Sequence, residues 1–305
     1  MNHFPSYLLM PLVAAAFYAT GALFFKEAFR RGASTLHTFF VTSWIMGFFF
    51  APFIFWETEP FQWNLLHYPV LTALTFFFGH WMTFTAIRTG DVSLVTPIMG
   101  TKSIFVALFA WSTFNKAIPA GMWMATLFTA LAVYVLGKTD TSGKRHSMPL
   151  ATWLAIGSAA CFGLCDALVQ EWAPVFGVKA FLTLMFATAA ILTLCLVPFF
   201  ETPLRHLKRK TWGWMLAGAV LTAQQAILVG LAVSMFHNAT GVNVVYSSRG
   251  LWAIVLVWLS KKIIGQSIER TESNHLWWRL AGAILMCLAI VLAVMDSPPA
   301  VTDGR

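Results

Sequence analysis

The chain has 305 residues, of which 58% are hydrophobic and only 10% charged. A soluble domain carries about 25% charged residues, so composition excludes an ordinary soluble protein. The net charge of +8 would suit a nucleic-acid binder, but the basic residues cluster at the ends of apolar runs, in FKEAFRRG, GKTDTSGKRH, RHLKRK and SKK. Such clusters set membrane topology and meet anionic lipid head groups, and no nucleic-acid partner is expected.

Ten apolar runs are predicted as spans near 7–25, 35–56, 68–87, 92–114, 119–137, 150–172, 179–200, 212–234, 240–260 and 276–295. Each is long enough to cross roughly 30 Å of hydrocarbon as a helix. The runs are continuous rather than alternating, which excludes a β-barrel. The predicted fold is an all-α integral membrane protein with ten transmembrane helices. No Lys or Arg precedes the first run and no small-residue cleavage site follows it, so a removed signal peptide is not expected.

Along the chain, Tyr18 and Trp44 are aromatic candidates in the first two spans, and Lys26 at the edge of the first is expected to snorkel. His80 sits centrally in the third span, where it would bind substrate, titrate, or hydrogen-bond a neighbouring helix. The fourth carries Lys102 at its centre, five residues after Pro97. A proline there frees one backbone carbonyl, allowing a kink and a polar pocket. Ile98, Met99 and Phe105 are candidate apolar walls. Asp166 in the sixth span is the strongest candidate acid, as an ion-pair partner of a nearby cation or as a proton-coupling group. Glu171 lies nearer the membrane edge. The eighth span holds Gln224 and Gln225 beside a stripe of small residues, Gly218, Thr222, Ala226 and Gly230, which reads as helix packing. Arg249 occupies the centre of the ninth, with Tyr246 and Asn243 on roughly the same face.

Lys102 and Arg249 are the leading site candidates. A cation at the centre of a spanning helix costs roughly 2.5–3.5 kcal/mol on insertion scales, so each should face protein or a water-filled cavity. Arg offers a planar fork for carboxylate or phosphate and Lys a mobile point charge. Together they suggest an anion clamp; the plainer alternative is a pair of structural cations. The cysteines, Cys161, Cys165, Cys195 and Cys287, all fall inside spans and read as buried thiols, with no disulfide framework and no metal site. GKTDTSGKR lacks the spacing and the Ser or Thr of a phosphate-binding loop, and no catalytic motif appears, so no enzyme activity and no cofactor are expected.

The loop at 138–149 divides the chain into halves of five predicted spans, 1–137 and 150–295, with a disordered tail expected at 296–305. Sliding the chain by 147 residues places Lys102 on Arg249, Trp111 on Trp258, Val95 on Val242, Ser93 on Thr240 and Asp91 on Asn238. A shift of 145 places Gly32 on Gly177 and Phe17 on Phe162. Halves with an odd number of spans enter the membrane in opposite senses, giving an inverted repeat of the kind common in secondary transporters. Loops after the odd-numbered spans hold 14 basic residues: Lys26, Arg30, Arg31, Arg88, Lys138, Lys144, Arg145, Arg205, Lys208, Arg209, Lys210, Lys261, Lys262 and Arg270. The opposite loops and tails hold 3, Lys116, Lys179 and Arg305. The positive-inside rule then puts both termini outside the cytoplasm.

Ten spans, two five-span halves, short loops and the stretch GDVSLVTPIMGTKSIFVALFAW resemble the EamA-type branch of the drug/metabolite transporter superfamily. The resemblance implies alternating access at a central site between the halves. In related sugar-phosphate translocators, basic residues on the fourth and ninth helices hold phosphate, and Lys102 and Arg249 fall on those helices here. Many relatives are assigned cytoplasmic termini, against the charge bias. The expected protein is a secondary transporter of a small organic anion or amino-acid-like metabolite in a bacterial inner membrane. Its expected substrate-binding residues are Lys102, Arg249, His80, Tyr246, Gln224, Gln225 and Met99, with Asp166 in an ion pair or coupling role. The alternative is an exporter of amphipathic or aromatic compounds whose intramembrane charges pair internally. The expected partners are a small-molecule substrate and the bilayer, with a homodimer left open.

Overall fold

In the structure, a computed structural model, residues 6–58, 60–90, 92–137, 148–264 and 276–296 are described. The α-helices are α1 (Leu9–Arg30), α2 (Thr35–Phe50), α3 (His67–Thr89), α4 (Val92–Ile98), α5 (Lys102–Phe114), α6 (Ala120–Gly137), α7 (Met148–Phe176), α8 (Val178–Leu192), α9 (Arg209–Phe236), α10 (Ala239–Tyr246), α11 (Arg249–Ile264) and α12 (Leu276–Met295). No strand occurs among the described residues. Hydrocarbon offers the backbone no hydrogen-bond partner, so apolar runs of this length satisfy their own amides as helices. Six helical stretches among the described residues are long and apolar enough to cross a membrane, and Ala120–Ala132 and Ala281–Met295 are shorter apolar helices.

Two predicted spans are broken in the middle. A 3-10 turn, Met99–Thr101, separates α4 from α5, and Ser247 and Ser248 separate α10 from α11. Lys102 and Arg249 are therefore equivalent in position, each the first residue after its break. Irregular backbone at membrane depth persists only where protein or a cavity covers it. Here the breaks cover each other: the Ser247 hydroxyl donates to the Gly100 carbonyl at 2.9 Å, and the Arg249 guanidinium donates to the Met99 carbonyl.

Two other predicted spans end differently from expectation. The run 35–56 is α-helical only to Phe50 and continues as a 3-10 segment, Ala51–Trp56. The run 179–200 changes likewise after Leu192 into Thr193–Phe199. Pro52 and Pro198 lie in these segments, and a residue without an amide proton cannot close an α-helical turn. α7 begins at Met148, inside the expected linker; residues 138–147 and 297–305, with most of the expected tail, lie outside the described residues.

Gly32 and Gly177, which a shift of 145 superimposes, both have positive φ, 96° and 101°. Each reverses the chain just before the second helix of its half, a backbone state glycine adopts without a Cβ penalty. Helix neighbours also correspond between halves. α1 packs on α9 as α7 packs on α3, and α2 on α9 as α8 on α3. α11 meets α1 as α5 meets α7, while α2 with α8 and α6 with α12 join equivalent helices directly. Close approach explains part of this: a Cβ on Gly21 of α1 would lie 3.2 Å from the Gly218 carbonyl of α9.

Candidate functional site

A cavity of about 70 Å³ lies where the two breaks meet the long helices α1, α3, α7 and α9. Roughly 10–15 Å³ houses one water molecule, so the space admits a few waters and must widen for a metabolite. Lys102, Arg249, Asp166, His80, Tyr246 and Gln225 all reach it. So do Tyr18 and Thr222, with Phe76, Phe162, Met185 and Phe186 as apolar walls.

The charged groups divide into two units. Lys102 Nζ lies 2.6 Å from Asp166 Oδ2, and Asn243 Nδ2 donates to the same oxygen at 2.6 Å. This ion pair joins the first half to the second. The aromatic rings of Phe162 and Tyr246 lie 5.6 and 5.8 Å from the ammonium. Arg249, only 2% exposed, is held differently. Its guanidinium sits between Tyr18 and Tyr246, 4.7 and 4.5 Å from their ring centres, and among the described residues no carboxylate pairs with it. Its Nε is buried without a hydrogen-bond partner. Lys102 and Asp166 cancel, so Arg249 leaves the site with one net positive charge.

His80 is buried among Phe39, Phe76, Phe84 and Phe162, and its Nδ1 has no partner. The small-residue stripe on α9 does two things: Gly218 and Thr222 abut Gly21, while Thr222, Ala226 and Gly230 line the cavity.

Several expected positions differ. Met99 does not line the cavity: its side chain is fully buried, its sulfur accepts from the Tyr18 hydroxyl at 3.2 Å, and its carbonyl holds Arg249. Gln224, half-buried, is also outside the lining, because its neighbour Gln225 takes the inward-facing position on α9. Phe105 packs beside Gly163 of α7 rather than forming a wall. Lys26 does not snorkel; its ammonium donates to the carbonyls of Ile87 and Gly90 at the end of α3. Glu171 pairs with Lys116 at 3.0 Å. Of the cysteines, Cys165 is buried at the cavity, Cys161 half-buried, and Cys195 and Cys287 exposed on the helix surface. Among the described residues no three His, Cys, Asp or Glu side chains gather as metal ligands.

Tyr18 and Asn243 matter more than the sequence alone indicates. Asn243 lies one turn before Tyr246, which places it on the site's face, but its contact with Asp166 spans 77 residues and has no local signature.

A helical, multi-pass membrane protein with a charged cavity at its centre and broken helices beside it has the form of a transporter. Residues 5–138 match the EamA-like transporter family. A solved protein crystal structure superposes with a TM-score of 0.69 at 14% identity, covering 98% of this chain and 99% of that one. That likeness concerns the fold. No curated protein matches.

Proposed function

We propose that the chain is a ten-span, two-repeat secondary transporter of the bacterial inner membrane, moving a small organic anion by alternating access. Its repeats are 1–137 and 150–295. The observation that carries the reading is Arg249: a buried guanidinium at the cavity wall, with an unpartnered Nε and, among the described residues, no carboxylate counter-charge. A buried cation left unpaired is costly, so an anionic ligand is its natural complement. The matched positions of Lys102 and Arg249 and the corresponding helix neighbours support the inverted repeat.

The ion pair refines the clamp expected from sequence. Lys102 is occupied by Asp166, so Arg249 receives the substrate's negative group and Lys102 joins only when Asp166 releases it. A single carboxylate fits this balance better than a dianion. A second reading, export of amphipathic or aromatic compounds, draws support from the Lys102–Asp166 contact and the walls formed by Phe76, Phe162 and Phe186.

The readings separate in a thermal-shift screen of the purified protein against small carboxylates, phosphate esters, amines and neutral aromatics. A bound ligand raises stability with its saturation. The anion reading expects monocarboxylates to stabilise; stabilisation by amines or neutral aromatics alone would favour the second.

A further inference from the structure

We propose that a basic vestibule at the cytoplasmic ends of α1 and α3 collects the transported anion, and that a Phe25–Phe84 gate separates it from the Arg249 cavity. The proposal rests on the anion-transport reading above and gives it a route.

Three cavities lie in a row along the same helix faces. The central one reaches Tyr18, His80, Thr83 and Thr222. A second, of about 10 Å³, shares those four residues and adds Phe25, Phe84 and Ile87. One turn further along α1 and α3, a third of about 500 Å³ is lined by Lys26, Arg30 and Arg88, with Glu201 as its one acidic side chain. From Tyr18 to Arg30 the helical rise of 1.5 Å per residue gives about 18 Å. That is more than half of a roughly 30 Å hydrocarbon layer, so the row links the site's level to one membrane face. The vestibule lies on the face bearing the 14 basic loop residues.

The vestibule's charges are three positive and one negative. Arg30 and Arg88 are exposed; Arg30 touches Glu27 at 3.1 Å, and Arg88 reaches the Thr35 hydroxyl at 3.4 Å. A concave mouth with a net positive charge focuses anions and raises their local concentration. Inward of it, the Phe25 and Phe84 rings meet edge to face at 4.9 Å, with Phe39 behind Phe84. The space beside them is that of one water molecule, which no metabolite passes unless α1 and α3 part.

Lys26 sits at the junction. Its ammonium ties α1 to the Ile87 and Gly90 carbonyls of α3, where a cation also suits the helix dipole. An anion in the vestibule offers Lys26 another partner and loosens this tie. Beyond the gate, Thr83, Thr222 and the unpartnered Nδ1 of His80 are buried polar groups on the way to Arg249.

The test uses Cys165 as a reporter in the cavity, in the full chain carrying Cys161→Ala, Cys195→Ala and Cys287→Ala. Everted membrane vesicles are treated with an anionic probe, 2-sulfonatoethyl methanethiosulfonate, or a cationic one, 2-(trimethylammonium)ethyl methanethiosulfonate. Arg30→Gln with Arg88→Gln should lower the ratio of anionic to cationic labelling rates about tenfold at low salt, and have no effect at high salt, as focusing by charge requires. Phe84→Leu should speed both probes. An unchanged ratio with labelling intact overturns the vestibule. No labelling from the everted face, even with Phe84→Leu, overturns the route, and a charge effect confined to right-side-out vesicles overturns its cytoplasmic assignment. Arg249-dependent stabilisation by carboxylates is read separately on purified protein. If it persists while the vestibule effect is absent, only the route fails; if it is absent, the anion site itself fails.

Discussion

At the scale of single residues, the site is organised by one acid serving two partners. Asp166 Oδ2 accepts from Lys102 and from Asn243, each at 2.6 Å. Removing one member of a buried ion pair costs about 3–5 kcal/mol because the other charge is stranded. Lys102→Met should therefore lower the melting temperature of the purified protein markedly, and adding Asp166→Asn should restore most of it. A melting temperature unmoved by Lys102→Met would show that the pair is not formed in the protein. Arg249→Met is expected to behave differently. It strands no carboxylate among the described residues and relieves the insertion cost of a central cation, so yield should hold while anion binding falls. The two cations look alike in sequence, each alone in an apolar run. What distinguishes them is a carboxylate from α7 beside one and two tyrosine rings around the other; Tyr246 is legible three residues before Arg249, but Asp166 and Tyr18 meet their cations through contacts distant in sequence that leave no trace in local spacing.

At the scale of helices, the broken pairs α4–α5 and α10–α11 set the site, and the long helices hold them there. The contact of α5 with α7 is tight at one point. A Cβ on Gly163 would lie 2.5 Å from Phe105 Cβ and 3.1 Å from its backbone, positions that cannot yield without moving a helix. Gly163→Ala should lose about 1–3 kcal/mol, the usual effect of overpacking, measured as a lower midpoint in thermal unfolding. An unchanged midpoint would mean that α5 and α7 are further apart than described. Helix positions were largely legible from the sequence, because twenty-residue apolar runs leave the backbone one solution in hydrocarbon. Finer features were not. Pro52 and Pro198 were visible as prolines, yet the residue at which each α-helix gives way to a 3-10 segment was not. Met99 and Gln224, expected at the site, lie outside the cavity lining for a related reason: hydrophobicity marks the membrane depth of a residue, and only packing fixes which way an almost uniformly apolar helix faces.

At the scale of the whole molecule, orientation and transport each have a direct readout. With 14 basic residues on one set of loops against 3 on the other, the positive-inside rule predicts that both termini lie outside the cytoplasm. A C-terminal green fluorescent protein fusion should stay dark and an alkaline phosphatase fusion should be active; the reverse pattern would invert the topology, leaving the fold as it is. The central claim is that Arg249 holds the substrate's negative group. Charge-assisted hydrogen bonds of this kind contribute about 1.5–3 kcal/mol each. The most direct measurement is the dissociation constant of the carboxylate that best stabilises the parent protein, titrated against the parent and against Arg249→Met at equal ionic strength. The account predicts binding weakened roughly ten- to a hundred-fold in a variant that is still folded, since 1.4 kcal/mol is a factor of ten. Equal affinity in the two proteins would contradict it.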